Sequence, residues 1–241
     1  MFTDKNIVQI HQSYDALGIY ERVCVERWKW MNPDWDYRFI TNEEGDEVVK
    51  KVLGDRFSRF ENFHFGARNN IRRACVVYQY GGLFSDCDLY PVKPLSEYFP
   101  EDRERVLFRY DGGRNLFLNG LFACPAGDRM LLDIVNLSFD YLTDPNNPAP
   151  STDSKDWDGW HFDVCGVHCW NDVMLKYEKV EDGVEGGDSH PKYTDFVSVD
   201  QIKCLHYGTH CWSPNRKHRP ENEENRMQLK ALEMAKQTWG I

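Results

Sequence analysis

Apolar and polar residues follow two different periods along this chain. Short runs in which apolar residues alternate or follow one another predict β-strands, and longer stretches with apolar residues three and four positions apart predict helices. Strands are predicted at 5–13, 36–42, 83–90, 105–110, 116–125, 193–199 and 202–208. Helices are predicted at 14–32, 43–54, 67–80, 128–142, 165–180 and 221–239. A Pro-, Asn- and Asp-rich composition predicts a long loop over 143–160.

Three of these helices carry recognisable end signals. The first is expected to stop at Asn32, because a proline follows it. Thr41 or Asn42 has the side chain of an N-cap for the second helix. Gly81 and Gly82 are expected to end the third and to allow the close turn into the next strand.

Strands and helices alternate through the first half of the chain, which predicts an α/β fold with a mixed, mostly parallel sheet flanked by helices. The 241 residues are enough for one sizeable core, and no internal repeat divides them. Open α/β sheets bind their ligands at the carboxyl ends of the strands. Residues that follow a predicted strand are therefore the first candidates for a site.

The net charge and the distribution of apolar residues exclude some classes of partner and location. A formal net charge of −10 excludes nucleic-acid binding through a broad basic face. No stretch approaches the roughly 20 apolar residues that a membrane span requires. The N-terminal residues lack the basic and then apolar pattern of a signal peptide. We therefore expect a soluble, cytoplasmic protein that binds no nucleic acid and spans no membrane.

Eight cysteines are spread along the chain, and reduced thiols are the expectation for a protein without an export signal. A structural zinc site is the alternative, because cysteines and histidines are frequent in the C-terminal half. The absence of any Cys-x-x-Cys pair argues against it. The residues that such a site could use are His161, Cys165, His168, Cys169, Cys204, His206, His210 and Cys211.

The stretch "GGLFSDCDLYPVKPL" (81–95) places two carboxylates, Asp86 and Asp88, near the end of a predicted strand. Residues two apart in a strand point the same way, so both carboxylates are expected to face one cation. Oxygen ligands suit Mg²⁺ or Mn²⁺, which bridge protein carboxylates to substrate phosphates. A solvated turn is the alternative for an isolated Asp-x-Asp in an acidic protein.

The block "ARNNIRRACVVYQYGGLFSDCDLYPVKPL" (67–95) resembles glycosyltransferase family 32, whose pattern is a helix with Asp-x-x-Arg, an apolar run, Gly-Gly and Asp-x-Asp. Supporting segments occur in the order of that family. They are "IVQIHQSY" (7–14), "NPDWDYRFIT" (32–41), "NGLFACPAGDRML" (119–131) and "HYGTHCW" (206–212). The resemblance thus touches most of the chain, and the central block is its specific part.

The resemblance implies a GT-A type nucleotide-sugar-binding fold in a single domain over 1–241. Residues 1–142 would form the nucleotide-sugar half, and 143–241 the acceptor side with a C-terminal helix. The implied activity is Mn²⁺- or Mg²⁺-dependent, retaining transfer of a sugar from a UDP- or GDP-sugar to a glycan or glycolipid hydroxyl, as in polysaccharide biosynthesis. No residue identifies itself as a covalent nucleophile, which favours front-face attack assisted by the leaving diphosphate.

The resemblance also implies roles for individual residues. Asp88 would be the principal metal ligand, Asp86 would contact water on the metal, ribose or sugar hydroxyls, and Arg73 would contact donor sugar or phosphate. The implied catalytic residues are Asp86, Asp88 and Arg73, and the implied metal ligands are Asp88, Asp86 and His206. The implied donor contacts are His11, Tyr14, Asn70, Arg73, Asp86, Asn119 and Trp212.

Two positions depart from the family pattern. Asn70 stands where the family usually has Asp, and Cys211 stands where Ser is common. An asparagine keeps hydrogen-bonding capacity without the charge. Two alternative functions therefore stay open: a sugar-nucleotide-binding protein descended from a transferase, and another metal-dependent nucleotide-using transferase. A metal-dependent transferase of the latter kind would normally contain a glycine-rich phosphate-binding loop, and the sequence shows none.

Overall fold

A computed structural model describes most of the first three quarters of the chain. The described residues are 4–97, 99–100, 102–109, 116–149, 157–179, 182–185, 188–189, 204–206 and 233. The helices are α1 (Ile19–Met31), α2 (Asn42–Leu53), α3 (Phe57–Phe60), α4 (Phe65–Tyr80), α5 (Arg129–Thr143), α6 (Trp157–Val164) and α7 (Val167–Tyr177). The strands are β1 (Asn6–His11), β2 (Asp36–Thr41), β3 (Gly82–Ser85), β4 (Leu89–Pro91), β5 (Val106–Arg109), β6 (Phe117–Cys124), β7 (Val184–Glu185), β8 (Asp188–Ser189) and β9 (Cys204–His206).

Six strands form the larger sheet of the described residues, in the order β2-β1-β3-β6-β5-β7. β1 runs parallel to β2 and β3, and β7 runs parallel to β5. β6 is antiparallel to both of its neighbours, so of these six strands it alone runs against the rest. The predicted α/β fold with a mixed, mostly parallel sheet is confirmed. β4, β9 and β8 form a smaller sheet.

The two faces of the larger sheet bury different helices, because neighbouring residues of a strand point to opposite sides. Ile7 and Leu83 pack with Trp28 of α1 on one face. Val8 and Phe84 pack on the other face, with apolar residues of α2, α4, α5 and α7. The strands are therefore covered on both sides, as parallel strands generally are.

The strand order reverses at β1. The chain passes from β1 through α1 to β2 on one side of β1, and then through α2, α3 and α4 to β3 on its other side. The connecting helices α1 and α4 lie on opposite faces of the sheet. The crevice outside the carboxyl ends of β1 and β3 is therefore a topological switch point, where open α/β sheets bind ligands.

The predicted helix ends are local features, and the structure confirms them. Thr41 caps α2 in a capping box: its hydroxyl accepts from the Glu44 amide at 3.2 Å, and the Glu44 carboxylate accepts from the Thr41 amide at 2.8 Å. Gly81 is the C-cap of α4 at φ 63°, and its N–H donates to Val77 at 2.8 Å. Asn32 is the C-cap of α1.

Three predicted elements differ from the structure. The first helix begins at Ile19 and not at Tyr14, because Tyr14 and Leu17 form a turn closed by a 3.2 Å backbone hydrogen bond. The loop predicted over 143–160 ends earlier, since α6 begins at Trp157 and buries His161. The strand predicted over 83–90 is two strands, β3 and β4, separated by the turn at 86–88.

The short elements α3, β7 and β8 were not predicted, because each has four residues or fewer and carries almost no periodic signal. The strand predicted at 193–199 lies outside the described residues. So does the helix predicted at 221–239, apart from Glu233, which is helical. Among the described residues, no helix is both long enough and apolar enough to cross a membrane.

Candidate functional site

The candidate site lies at the carboxyl edge of the larger sheet, where β1 ends at His11 and β3 ends at Ser85. β6 begins at the same edge because it runs antiparallel to β3, and Ser85 pairs with Leu121. Asn119 therefore lies beside the turn that follows β3. His206 of β9 is the backbone partner of Leu89, the residue after Asp88. The structure describes the backbone of His206 and not its side chain.

The two aspartates lie in a turn and not along a strand, so the spacing rule for strands does not align their side chains. The turn is closed by the Leu89 amide, which donates to the Asp86 carbonyl at 3.1 Å. The Asp86 amide donates to the Gly120 carbonyl at 2.8 Å, which extends the pairing of β3 and β6 by one hydrogen bond. The strand ends here because β4 leaves the larger sheet to pair with β9.

The buried side chain of Gln9 holds the turn from β1. Its Nε2 donates to the Asp86 carbonyl at 3.1 Å, and its Oε1 accepts from the Tyr37 hydroxyl at 2.7 Å. Burial raises the pKa of Tyr37, so the phenol stays protonated and remains the donor. Nothing in the sequence pattern marked Gln9, because a polar residue inside a predicted strand most often faces solvent.

Arg73 of α4 forms an ion pair with Asp86. Its Nη2 lies 3.1 Å from one carboxylate oxygen, and its Nη1 lies 3.4 Å from the other. Nη1 also donates to the Asn119 carbonyl at 2.8 Å, and the guanidinium lies 5.1 Å from the centroid of the Phe84 ring. The Arg73 side chain is 13% exposed, so this charge is largely shielded from solvent. Arg73, and with it this face of α4, therefore reaches the aspartate turn.

Gly120 leaves the space that the Asp86 carboxylate occupies. A Cβ at this position would lie 2.5 Å from Asp86 Oδ2, which no side chain tolerates without movement. The position of the Asp86 carboxylate therefore requires a glycine here. In the sequence, the Asn-Gly segment was the only feature that pointed to this residue.

Asn70 is buried, and its amide is held on both sides. Its Nδ2 lies 3.1 Å from His161 Nε2, and its Oδ1 accepts from the Asn119 side chain at 3.4 Å. Burial, together with His64 and Arg73, lowers the pKa of His161 to about 3, so the imidazole is neutral. His161 was considered from sequence only as a zinc ligand; its contact with Asn70 joins residues 91 apart in the chain.

Asp88 is buried to 8% exposure, close enough to His11 for its charge to act on that ring. Burial lowers the pKa of His11, while a hydrogen bond with the Ser13 carbonyl and the charge of Asp88 oppose the change. His11 is therefore neutral at pH 7 and lies beside a buried carboxylate. The predicted site residues His11, Asp86 and Asp88 thus share one end of the sheet.

Tyr14 lies at the rim of the same region. Its hydroxyl donates to Glu26 at 2.7 Å, and its ring packs with Phe39 and beside Cys87, the residue between the two aspartates. Its predicted contact with the nucleotide base stays a prediction. Trp212, His210 and Cys211 lie outside the described residues, and their predicted roles stay predictions as well.

Arg72 has a structural role in the contact between two helices. Its Nε and Nη2 donate to the two carboxylate oxygens of Asp46 at 2.5 and 3.0 Å, and Asn69 accepts from Nη1 at 2.5 Å. The guanidinium is 2% exposed. These contacts tie α4 to α2, away from the aspartate turn.

The cysteines that the structure describes with their side chains are all buried: Cys24, Cys75, Cys87, Cys124, Cys165 and Cys169. Cys75, Cys124, Cys165 and Cys169 are free thiols, and the redox state of the other cysteines stays a prediction. Within the described residues, no three His, Cys, Asp or Glu side chains are gathered as a metal site. His161 Nδ1 does lie 3.5 Å from Cys165 Sγ, but His168 is exposed and pairs with Asp163.

A cavity of about 160 Å³ lies at the opposite end of the sheet. Lys5 and Trp35, which line it, precede β1 and β2, so it opens at the amino ends of these strands. Neither Asp86 nor Asp88 lines this cavity, which is therefore separate from the candidate site.

No family model matches the chain, and no curated protein matches it. Several solved structures are similar to it, and two of them are glycosyltransferases by title. The "PaToxG Glycosyltransferase" has a TM-score of 0.49 and 15% identity, over 72% of this chain and 69% of that one. A "glycosyltransferase involved in the glycosylation of the major capsid of PBCV-1" has a TM-score of 0.42 and 13% identity, over 90% of this chain and 98% of that one.

At these scores and identities, neither likeness carries an argument about the chain's activity. The GT-A type fold, the family 32 resemblance and the division at residue 142 therefore stay predictions.

Proposed function

We propose that this chain is a glycosyltransferase that moves a sugar from a nucleoside-diphosphate sugar, with UDP or GDP, to a hydroxyl of a glycan or glycolipid. The observation that carries the proposal is the position of the Asp86–Asp88 turn at the switch point between β1 and β3, where an α/β sheet binds its ligand. The sequence resemblance to family 32 in the same block supports it.

The donor set at the turn fits a hard divalent cation. Mg²⁺ and Mn²⁺ are commonly held by one or two carboxylates, with substrate phosphates and water completing the shell. Asp88, Asp86 and, by its backbone position, His206 are the residues that would hold the ion. When bound, it would neutralise charge on the leaving group.

The protein's own residues organise the two carboxylates differently. Arg73 and Gly120 hold the Asp86 carboxylate in one position, and Gln9 fixes its backbone. Asp88 is buried, and its charge acts on the His11 ring at the end of β1. This preorganisation is what makes charge–charge interactions effective in a site shielded from water. We assign Asp88 as the principal ligand and Asp86 as an oriented acceptor for water, ribose or sugar hydroxyls.

Transfer would break the bond between the anomeric carbon and the diphosphate oxygen and form one to the acceptor oxygen. The acceptor's proton passes to the leaving diphosphate. Asp86 is held by Arg73, which disfavours it as a covalent nucleophile. We therefore propose attack on the same face from which the diphosphate leaves, with retention of configuration.

A donor screen tests the proposal directly. UDP- and GDP-sugars are offered with Mn²⁺; binding is measured by calorimetry, and released sugar is measured without an acceptor. A transferase releases some sugar to water with one donor, and chelation by EDTA stops it. Binding without release favours the descended binding protein. No binding of any donor contradicts the proposal.

We expect Arg73→Ala to weaken donor binding or transfer about tenfold to a hundredfold. The change removes charge-assisted hydrogen bonds worth about 1.5 to 3 kcal/mol and leaves the Asp86 carboxylate without its counter-charge. Titration calorimetry and initial rates measure it. Arg129→Ala is the matched control, because that arginine is 70% exposed and pairs with Asp133 on α5. Unchanged kinetics for Arg73→Ala would remove this helix face from the site.

Gly120→Ala is expected to lower donor affinity about tenfold while changing the melting temperature little. The added methyl group displaces the far end of the Asp86 side chain and moves it from Arg73; one lost charge-assisted hydrogen bond of about 1.4 kcal/mol corresponds to tenfold. Gly54→Ala is the control for affinity: nothing lies within 4 Å of its added Cβ, and its positive φ of 56° means that the variant should lose some stability but no donor affinity. Normal affinity for Gly120→Ala would mean that the position of Asp86 is unimportant.

A further inference from the structure

We infer that His161 is a positioning residue for the Arg73–Asp86 pair, acting as a neutral hydrogen-bond acceptor that orients the amide of Asn70. Asn70 in turn accepts a hydrogen bond from the side chain of Asn119, whose backbone carbonyl binds Arg73. The consequence for turnover rests on the proposed function, whereas the state of the imidazole is a property of the protein alone.

The chain of contacts is continuous, buried at His161 and Asn70 and part-buried at Asn119 and Arg73. His161 is 3% exposed and Asn70 is 5% exposed. Asn70 Nδ2 lies 3.1 Å from His161 Nε2, Asn119 Nδ2 lies 3.4 Å from Asn70 Oδ1, and Arg73 Nη1 donates to the Asn119 carbonyl at 2.8 Å. These contacts connect α6 to the aspartate turn through α4 and β6.

The hydrogen-bonding pattern determines which nitrogen of His161 carries the proton. The Nδ2 amide of Asn70 has two hydrogens, one directed at His161 Nε2 and the other at Cys165 Sγ, 4.0 Å away. An amide nitrogen donates and cannot accept, so Nε2 must be the unprotonated ring nitrogen. The proton is then on Nδ1, which lies 3.5 Å from Cys165 Sγ, a weak acceptor.

Position 70 and position 161 are therefore a matched pair. A carboxylate at 70 would face the lone pair of Nε2 and would require the ring to change tautomer or take up a second proton. Asparagine avoids both. This contact gives a physical reason why Asn70 stands where the resembling family usually has Asp: its amide N–H binds this imidazole.

The surroundings keep the imidazole neutral and in place. Burial lowers its pKa, and electrostatic interactions with His64, before α4, and with Arg73, on α4, lower it further. The other titratable groups in this region are Arg68, which acts on His64, Cys165 on α6, Cys169 on α7 and Tyr141 on α5. The ring also fits closely against α4, because a Cβ on Gly66 would lie 2.8 Å from its Cε1.

Nitrogen-15 NMR of the imidazoles tests the first part. Wild-type His161, assigned by the signal missing from His161→Gln, is expected as the Nδ1–H tautomer, without titration between about pH 5 and 8. In Asn70→Asp the new carboxylate should raise the pKa of His161 or convert the ring to the Nε2–H tautomer. A protonated or Nε2–H ring in the wild type overturns the inference, whatever the protein's activity.

Kinetics with the donor found by the screen test the second part. His161→Phe keeps the ring volume but removes the acceptor, and should lower kcat about tenfold with a smaller change in KM. His161→Gln keeps an acceptor oxygen and should recover part of that loss. Equal rates for all three proteins would contradict the positioning role. If the wild type binds no donor, the proposed function fails, while the NMR result stands independently.

Discussion

Asp88→Asn is expected to abolish Mn²⁺-dependent donor binding, with a loss of about a hundredfold or more in affinity, while the protein stays folded. The change removes the negative charge that would hold the cation and keeps the size and shape of the side chain. A loss of about 3 kcal/mol of interaction with a divalent ion corresponds to about a hundredfold. Calorimetry with and without Mn²⁺ measures the affinity, and thermal melting in EDTA measures the fold.

The control for this change is Asp55→Asn. Asp55 is an exposed carboxylate in the helical turn after α2, outside the aspartate turn, so its substitution removes the same charge from another element. Donor affinity that survives Asp88→Asn would end the assignment of the metal site. A fall of many degrees in the EDTA melting temperature would instead indicate a structural role for Asp88.

Gly82→Ala is expected to destabilise the protein by about 2 to 5 kcal/mol. Gly82 begins β3 at φ 114°, a conformation that L-residues rarely adopt. An added Cβ would also lie 2.5 Å from the Asn6 carbonyl oxygen of the neighbouring strand, a backbone atom that cannot rotate away. Backbone strain and overpacking each cost about 1 to 3 kcal/mol, against a total stability of about 5 to 15 kcal/mol.

Urea unfolding measures this loss, and Gly127→Ala separates its two causes. Gly127 also has a positive φ, 77°, but nothing lies within 4 Å of its added Cβ. That variant should show the backbone strain alone, about 1 kcal/mol. If both variants lose the same small amount, the close approach of β1 and β3 at Gly82 does not limit the fold.

Features with local causes were predictable from the sequence. The periodic spacing of apolar residues identified the long helices α2, α4, α5 and α7 to within a few residues. Thr41 was recognisable as a cap because its partner, Glu44, is three residues away. The alternation of strands and helices was enough to predict a mostly parallel sheet. Each of these signals depends on residues that are close together in the sequence.

The candidate site was predictable only in part. Asp86, Asp88 and Arg73 were identified from a short motif, and the structure does bring Arg73 onto Asp86. The motif did not show that the aspartates lie in a turn, because a strand and a turn of this length have the same apolar pattern. The turn arises because β4 pairs with β9, more than a hundred residues later in the chain.

The hydrogen bonds that hold the residues of the site in place were determined only by the tertiary structure. Gln9 reaches Asp86 across 77 residues, Arg73 reaches Asn119 across 46, and Asn70 reaches His161 across 91. By itself, the sequence determined most of the helices, their caps and the α/β class, and it identified the aspartate pair, since these depend on neighbours in the chain. The order of the strands, the reversal of β6 and the partner of each buried polar group depend on which distant segments pack together. No local pattern encodes that choice, because a buried amide or imidazole accepts any well-placed partner.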